Sequence, residues 1–298
     1  MNTDRFLRLG QNNLSTSRRE FDRDYSNGGN NLTTHDIEKV LDSHMNITLY
    51  VNQETGSNSN SGTSSKYPLA SLGAAFDKIP TGGKGVINML SDINIGTSRY
   101  GTGYNKDIYI QMNRRKLRNE CKIVHAGGRD LNYYGNIVIG SGTGLRFYSG
   151  HGDCPDKMFY QPPLKDKNKG VHPGAKGMFT FTPRAPKGMY LGFMFRNRKS
   201  NDVLFHISAS RFISVSEWSA DRGATMNVAI YGHYTGKLVI DKSAGARIVD
   251  FQGMCGSYQT SLSGISFRDE KNNSLGIKDV TAGIKYDKND IPVNVTWH

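Results

Sequence analysis

Two hydrophobic periods alternate near the start of this chain and only one persists. In residues 49–80, LYVNQETGSNSNSGTSSKYPLASLGAAFDKIP, Leu49 and Val51 alternate with Tyr50 and Asn52 as in a strand. A tract of Gly, Ser and Asn follows. After Pro68 the apolar residues Leu69, Leu72, Phe76 and Ile79 fall at helical spacing, with Ser71 as N-cap and Pro80 and Gly82 as the stop. This predicts one strand, a polar loop and one short helix that buries Leu72 and Phe76.

From Gly85 onward the period is that of strands. The segments are VINML (86–90), DIYIQM (107–112), CKIVHA (121–126), NIVIG (136–140), LRFYS (145–149), MFTFT (178–182), MYLGFMF (189–195) and VLFHIS (203–208). Then come FISVSE (212–217), MNVAIYG (226–232), KLVID (237–241), ARIVDF (246–251), GISF (264–267), GIKY and VNVTW. Gly, Asn or Asp separates nearly every pair, which predicts an all-β sandwich, barrel or β-solenoid. No strict repeat is visible, which excludes a regular short-period solenoid and leaves an irregular one whose turns differ in length. Residues 1–45 lack alternation: SRREFDRD is mixed in charge, YSNGGNN is a break, and TTHDIEKVLDSHMN predicts a helix with Thr33 as N-cap and a stripe of Ile37, Val40 and Leu41. One short stripe forms no core, so this segment needs a partner to dock on.

Composition sharpens the picture. With 298 residues the chain can bury a sizeable core, and 34 Gly with 36% apolar residues favour many short strands over long helices. The three cysteines, Cys121, Cys154 and Cys255, form no CxxC pattern and predict neither a disulfide framework nor a zinc knuckle. The first residues lack the apolar core of a signal peptide, so folding in a cytosol is expected. The net charge of +12 is concentrated in residues 51–200, with 22 Lys or Arg against 9 Asp or Glu. Such a field suits an anionic partner. Much of it sits in loop-like text, however, in NRRKLRNECK, LKDKNKG and RNRK, where solvated lysines and arginines merely keep strand edges from aggregating.

The opening stretch resembles the start of the pectate-lyase-like right-handed parallel β-helix of phage tailspikes and tail-fibre-like proteins. The pattern there is a strand ending in YV, a TGxDxNxG-like loop, a Pro before a short helix with AA or AL, a Pro-Gly turn and a strand into the first coil. It is met by Tyr50-Val51, Thr55-Gly56, Asn58, Asn60, Gly62, Pro68, Ala74-Ala75, Pro80 and Val86-Ile87, with Asn58 standing where the pattern has an acid. The resemblance implies an all-β chain. Residues 1–45 are then a virion-attachment arm and residues 46–298 a β-helix-like body with one short N-terminal capping helix, subdivided near residues 150–176. A change to a β-sandwich after residue 140 is the alternative. It further implies a homotrimer held in the phage tail through residues 1–45, assembled in the host cytoplasm and facing host surface polysaccharide. An open parallel stack exposes unpaired backbone at its first strand, and a helix laid over that end covers it.

Candidate chemistry is sparse. A glycan-cleaving tailspike needs two carboxylates across a sugar, and Asp202, Glu217 and Asp221 are the local candidates, the last two beside Trp218, an aromatic suited to stacking on a sugar ring. Aromatics next to basic residues mark Tyr133, Tyr134 and Arg146 as candidate ligand contacts. HGDC (151–154) has no partner at metal or triad spacing, and His125, His206 and His233 are expected as core or interface residues. GSGTG lacks the phosphate-loop pattern, and DRDYSNGGNN breaks the calcium-loop pattern at Asn27. No metal, cofactor or membrane insertion is expected. The expected function is structural and host-recognising. A polysaccharide depolymerase, glycosidase or lyase, is the alternative, and a virion protein touching nucleic acid is the least favoured.

Overall fold

The computed structural model describes residues 45–96, 98–102, 105–120, 124–126, 129–131, 135–140, 142–150, 155, 157–161, 177–182, 189–195, 203–207, 211–215, 226–232, 236–240, 247–250, 258–261, 265–282, 284–291, 293 and 295–297. The expected arm with its helix, Met45 apart, lies outside these, as does most of the expected subdivision near residues 150–176.

Residues Met45–His298 form one compact unit. Strand β1 (Asn46–Val51) leads through a loop to helix α1 (Leu72–Lys78). Next come β2 (Lys84–Met89), β3 (Ile93–Asn94) and β4 (Arg99–Gly101), then β5 (Asp107–Gln111) and β6 (Leu117–Arg118). An antiparallel pair, β7 (Val124–Ala126) and β8 (Arg129–Leu131), intervenes before β9 (Asn136–Gly140). The order continues with β10 (Gly144–Tyr148), β11 (Phe159–Gln161), β12 (Phe179–Thr182), β13 (Met189–Phe195), β14 (Val203–Ile207) and β15 (Arg211–Val215). It closes with β16 (Met226–Gly232), β17 (Gly236–Ile240), β18 (Arg247–Asp250), β19 (Tyr258–Ser261), β20 (Ile265–Asp269), helix α2 (Ile277–Val280), β21 (Thr281–Ala282) and β22 (Val295–Trp297).

Successive strands visit three sheets in rotation. The first sheet runs β1-β2-β5-β10-β13-β16-β19-β22, the second β3-β6-β11-β14-β17-β20 and the third β4-β9-β12-β15-β18-β21. Every pair within them is parallel. The described body is therefore all-β, built mainly of parallel sheets with two short helices. The described strands after residue 140 stay in these same sheets, where the alternative sandwich would need mainly antiparallel pairs. Two expectations are corrected. A further helix, α2, lies between β20 and β21, in a body for which only the N-terminal capping helix was expected. The first helix is also shorter than its apolar spacing, because Leu69 bridges Val51 as a strand residue and Ile79 is the C-cap.

Parallel register places like positions of successive strands one above another, about 4.8 Å apart. One inward column of the first sheet is Leu49, Ile87, Ile110, Phe147 and Phe193. In the second sheet it is Ile93, Leu117, Phe159 and Phe205, and in the third Ile137, Phe179 and Ile213. All of these are buried. The columns meet in an aromatic knot: Phe159 stacks on Phe205 at 4.9 Å, Phe147 on Phe193 at 5.5 Å, and Phe159 meets Phe193 edge-on at 5.2 Å. Each such pair adds about 0.5–1.5 kcal/mol beyond the area it buries.

The first strand of an open sheet has a bare edge, and here the polar loop itself closes it. Tyr50 N–H donates to Gly62 O, Leu69 N–H to Tyr50 O and Asn52 N–H to Leu69 O, each at 2.8 Å. Asn58 Oδ1 accepts from Ala70 N at 3.0 Å and Ser71 Oγ at 3.3 Å, and Ser71 Oγ caps α1 by accepting from Ala74 N at 3.2 Å. The helix packs on β1 and β4 with Leu72, Ala75 and Phe76 buried, as its apolar face predicts. Its last turn is held by Lys106, 8% exposed, whose Nζ donates to Phe76 O at 2.6 Å.

Two outcomes follow. Phe159→Ala opens a cavity at the centre of the aromatic knot and is expected to cost about 3–5 kcal/mol in denaturant unfolding; a loss below about 1 kcal/mol contradicts this account of the core. Burial lowers the Lys106 pKa from its usual 10.5, against the opposing charge of Asp77. Between that lowered value and 10.5 the unfolded chain binds more protons than the folded one, so this lysine makes stability rise with pH through that window. The gap in stability between the wild type and Lys106→Met should therefore shift in favour of the wild type as pH climbs towards 10.5; an unchanged gap removes the buried ammonium from the argument.

Candidate functional site

Strand alternation turns Leu145 and Phe147 into the core and leaves Gly144, Arg146 and Tyr148 on the outer face of the first sheet. Register then sets Arg146 beside Tyr109 of β5 and Gly192 of β13, and sets Gly144 between Asp107 and Tyr190. The Arg146 guanidinium lies over the Tyr109 ring at 4.8 Å and the Tyr190 ring at 4.6 Å and pairs with Asp107. Its side chain is 30% exposed and that of Asp107 32%, so the pair is screened only in part. Burial works against the charge on Arg146, but the hydrogen bond and charge of Asp107 and the two tyrosines outweigh it, and its pKa is raised.

The two glycines are part of this arrangement. A Cβ on Gly144 would come within 2.9 Å of both Arg146 Nη1 and Asp107 Oδ1. One on Gly192 would lie 2.5 Å from the Tyr190 ring. Their absence lets the guanidinium and the ring lie flat on the sheet. Tyr109 and Met194, 37% and 39% exposed, extend the flat apolar area. A fixed cation between two aromatic rings, with a carboxylate beside it, can stack on the apolar face of a sugar and hydrogen-bond its oxygens. Its one carboxylate, Asp107, is paired with Arg146, so the face as described holds no pair of opposed carboxylates.

Of the sequence candidates, Arg146 alone is described. Asp202, Glu217, Trp218, Asp221, Tyr133 and Tyr134 lie outside the described residues, as do HGDC (151–154) and His233. His206, expected in the core or at an interface, lies half-buried on the second sheet in register with Tyr160, their rings 5.3 Å apart. Part of the basic run at 113–122 is a turn, with Asn113 and Arg114 at positive φ and Arg114 and Arg115 exposed. Arg118 within it is answered by Asp92 and Glu120, each at 3.4 Å. Among the described residues no cluster of three or more His, Cys, Asp or Glu is placed to hold a metal ion, and no helix is long and apolar enough to cross a membrane. Sequence reasoning missed Tyr109, Tyr190 and Asp107, which join Arg146 only through register. The signal that was present is the glycine two residues before Arg146 and the glycine two residues after Tyr190, each leaving a flat spot on an outward position. Comparison with family models, with curated proteins and with solved structures finds no match to this chain.

Gly144→Ala should displace the Arg146–Asp107 pair and, because the contacting atoms end flexible, part-exposed side chains, cost about 1 kcal/mol or less. Adding Arg146→Ala removes one side of the clash, so the double variant should lose less than the sum of the two single variants; strictly additive losses in chemical denaturation would refute the close approach.

Proposed function

We propose that this chain is a structural and host-recognition component of a phage tail. The body is a right-handed parallel β-helix that presents the Tyr109–Arg146–Tyr190 face to a surface glycan, and residues 1–45 attach it to the virion. The supporting observation is the coupling of two features. Three parallel sheets are visited in rotation, and their first strand is closed by the polar loop and α1, the device by which the opening stretch resembles tailspikes. The right hand is the one that strand twist favours for parallel connections. A long stack of this kind gives a stiff rod whose outer faces repeat at strand spacing, which suits a ligand that is itself an extended chain. Trimeric assembly belongs to the same proposal, since the tailspikes that the opening stretch resembles are trimers.

Binding without cleavage is the reading the Arg146 face favours, because its groups stack and hydrogen-bond while its carboxylate, Asp107, is paired with Arg146 and faces no second carboxylate. Incubation of the purified protein with host capsule and lipopolysaccharide should therefore produce no new reducing or unsaturated ends, while Arg146→Ala should weaken retention on the immobilised glycan. Turnover that disappears in Glu217→Gln or Asp221→Asn would replace this reading with a depolymerase. Light scattering that finds a stable monomer at micromolar concentration removes the trimer.

A further inference from the structure

The outer face of the first sheet carries a cation and an anion side by side, and their pairing restricts what it can hold. The Arg146 guanidinium and the Asp107 carboxylate meet over Gly144, where a Cβ would come within 2.9 Å of both Arg146 Nη1 and Asp107 Oδ1. The missing side chain thus seats the pair flush with the sheet, with the Tyr109 and Tyr190 rings 4.8 Å and 4.6 Å from the guanidinium. With side chains 30% and 32% exposed, both partners stay within reach of a ligand. Their charges cancel. Lys84, in register with Asp107 on the neighbouring strand β2, is exposed, so water and salt screen its ammonium. The other outward neighbours, Val86, Gln111, Tyr148, Gly192 and Met194, are uncharged.

Acidic and neutral sugars meet this face differently. A ligand carboxylate that reaches Arg146 stands beside Asp107, where like charges repel, and displacing Asp107 leaves that carboxylate without its cation. A hydroxyl both donates and accepts. Two hydroxyls on adjacent carbons therefore match the ion pair, one donating to Asp107 and the other accepting from a guanidinium N–H, while the Arg146–Asp107 bond stays intact. The apolar C–H face of the same ring rests on the tyrosines. We infer that the Arg146 face selects a neutral sugar unit with adjacent hydroxyls over a unit that bears a carboxylate, and that Asp107 sets this preference. The inference rests on the glycan-binding reading above and adds its substrate class. It also separates this face from the basic excess of the chain, whose field by itself favours an acidic glycan.

Methyl glycosides of glucose, galactose and mannose, and of the matching uronic acids, serve as probes, read by backbone amide shifts on the full chain. Within each pair only a hydroxymethyl group is exchanged for a carboxylate. At least one neutral glycoside should shift amides around Tyr109, Arg146 and Tyr190 and bind about tenfold or more tighter than its uronic partner. Asp107→Asn leaves Arg146 unbalanced and should close or reverse that gap, with uronide binding that weakens as salt rises. Lys84→Gln should leave the wild-type preference unchanged. Folding of both variants is checked by the unfolding midpoint, and the wild-type comparison tests the inference without any variant. A wild-type preference for the uronide, equal binding of both, a preference that survives Asp107→Asn, or one that Lys84→Gln abolishes overturns the inference and leaves the glycan face standing. Shifts absent from these amides with every probe, or shifts that persist in Arg146→Ala, remove the glycan face itself and the inference with it.

Discussion

Everything described in this body depends on parallel in-register stacking. Because each strand repeats the position of the one before it, an inward residue always lies on another inward residue, and the core becomes columns instead of a single cluster. Columns of Leu and Ile at the start give way to Phe147, Phe159, Phe179, Phe193 and Phe205 in the middle. Rings suit such columns, since two of them one strand apart can stack face to face while rings from neighbouring sheets fill in edge-on. The same rule acts outside. It lines up Asp107, Gly144 and Tyr190, and Tyr109, Arg146 and Gly192, so a surface is assembled from residues far apart in the chain.

Such a stack has an inherent weakness at its first strand, and the chain addresses it locally. The loop after β1 folds back to bond β1, Asn58 ties that loop to the start of α1, and Lys106 reaches from the approach to β5 to the last turn of α1. The helix is thus held at both ends by residues outside it, which a helix of two turns needs because it is too short to be stable alone. The price of Lys106 is a buried ammonium whose pKa is lowered by its surroundings.

The outer face around Arg146 is built by filling gaps left by glycine. On the first sheet the missing side chains of Gly144 and Gly192 are filled by Arg146 and Tyr190 of the chain itself, which fixes a rigid plate.

What the sequence determined by itself was local. Alternation located β2, β5, β9, β10, β13 and β16 closely, because period-two burial is written in consecutive residues. Ser71 and the apolar spacing after Pro68 located α1, because capping and one buried face are decided within a few residues. The two-residue strands β3 and β6 and the helix α2 were not legible, since elements so short carry no period and owe their form to neighbours in other turns of the chain. The GIKY segment has strand-like alternation yet contributes no named strand. Parallel pairing was implied by the resemblance of the opening stretch, but tertiary structure alone decided which strands pair, and hence that Arg146 lies between Tyr109 and Tyr190. The pairing offset is set by corners of unequal length, from the tight turn at Asn113–Arg114 to the inserted pair β7–β8, and no pattern along one strand states how far away its partner lies.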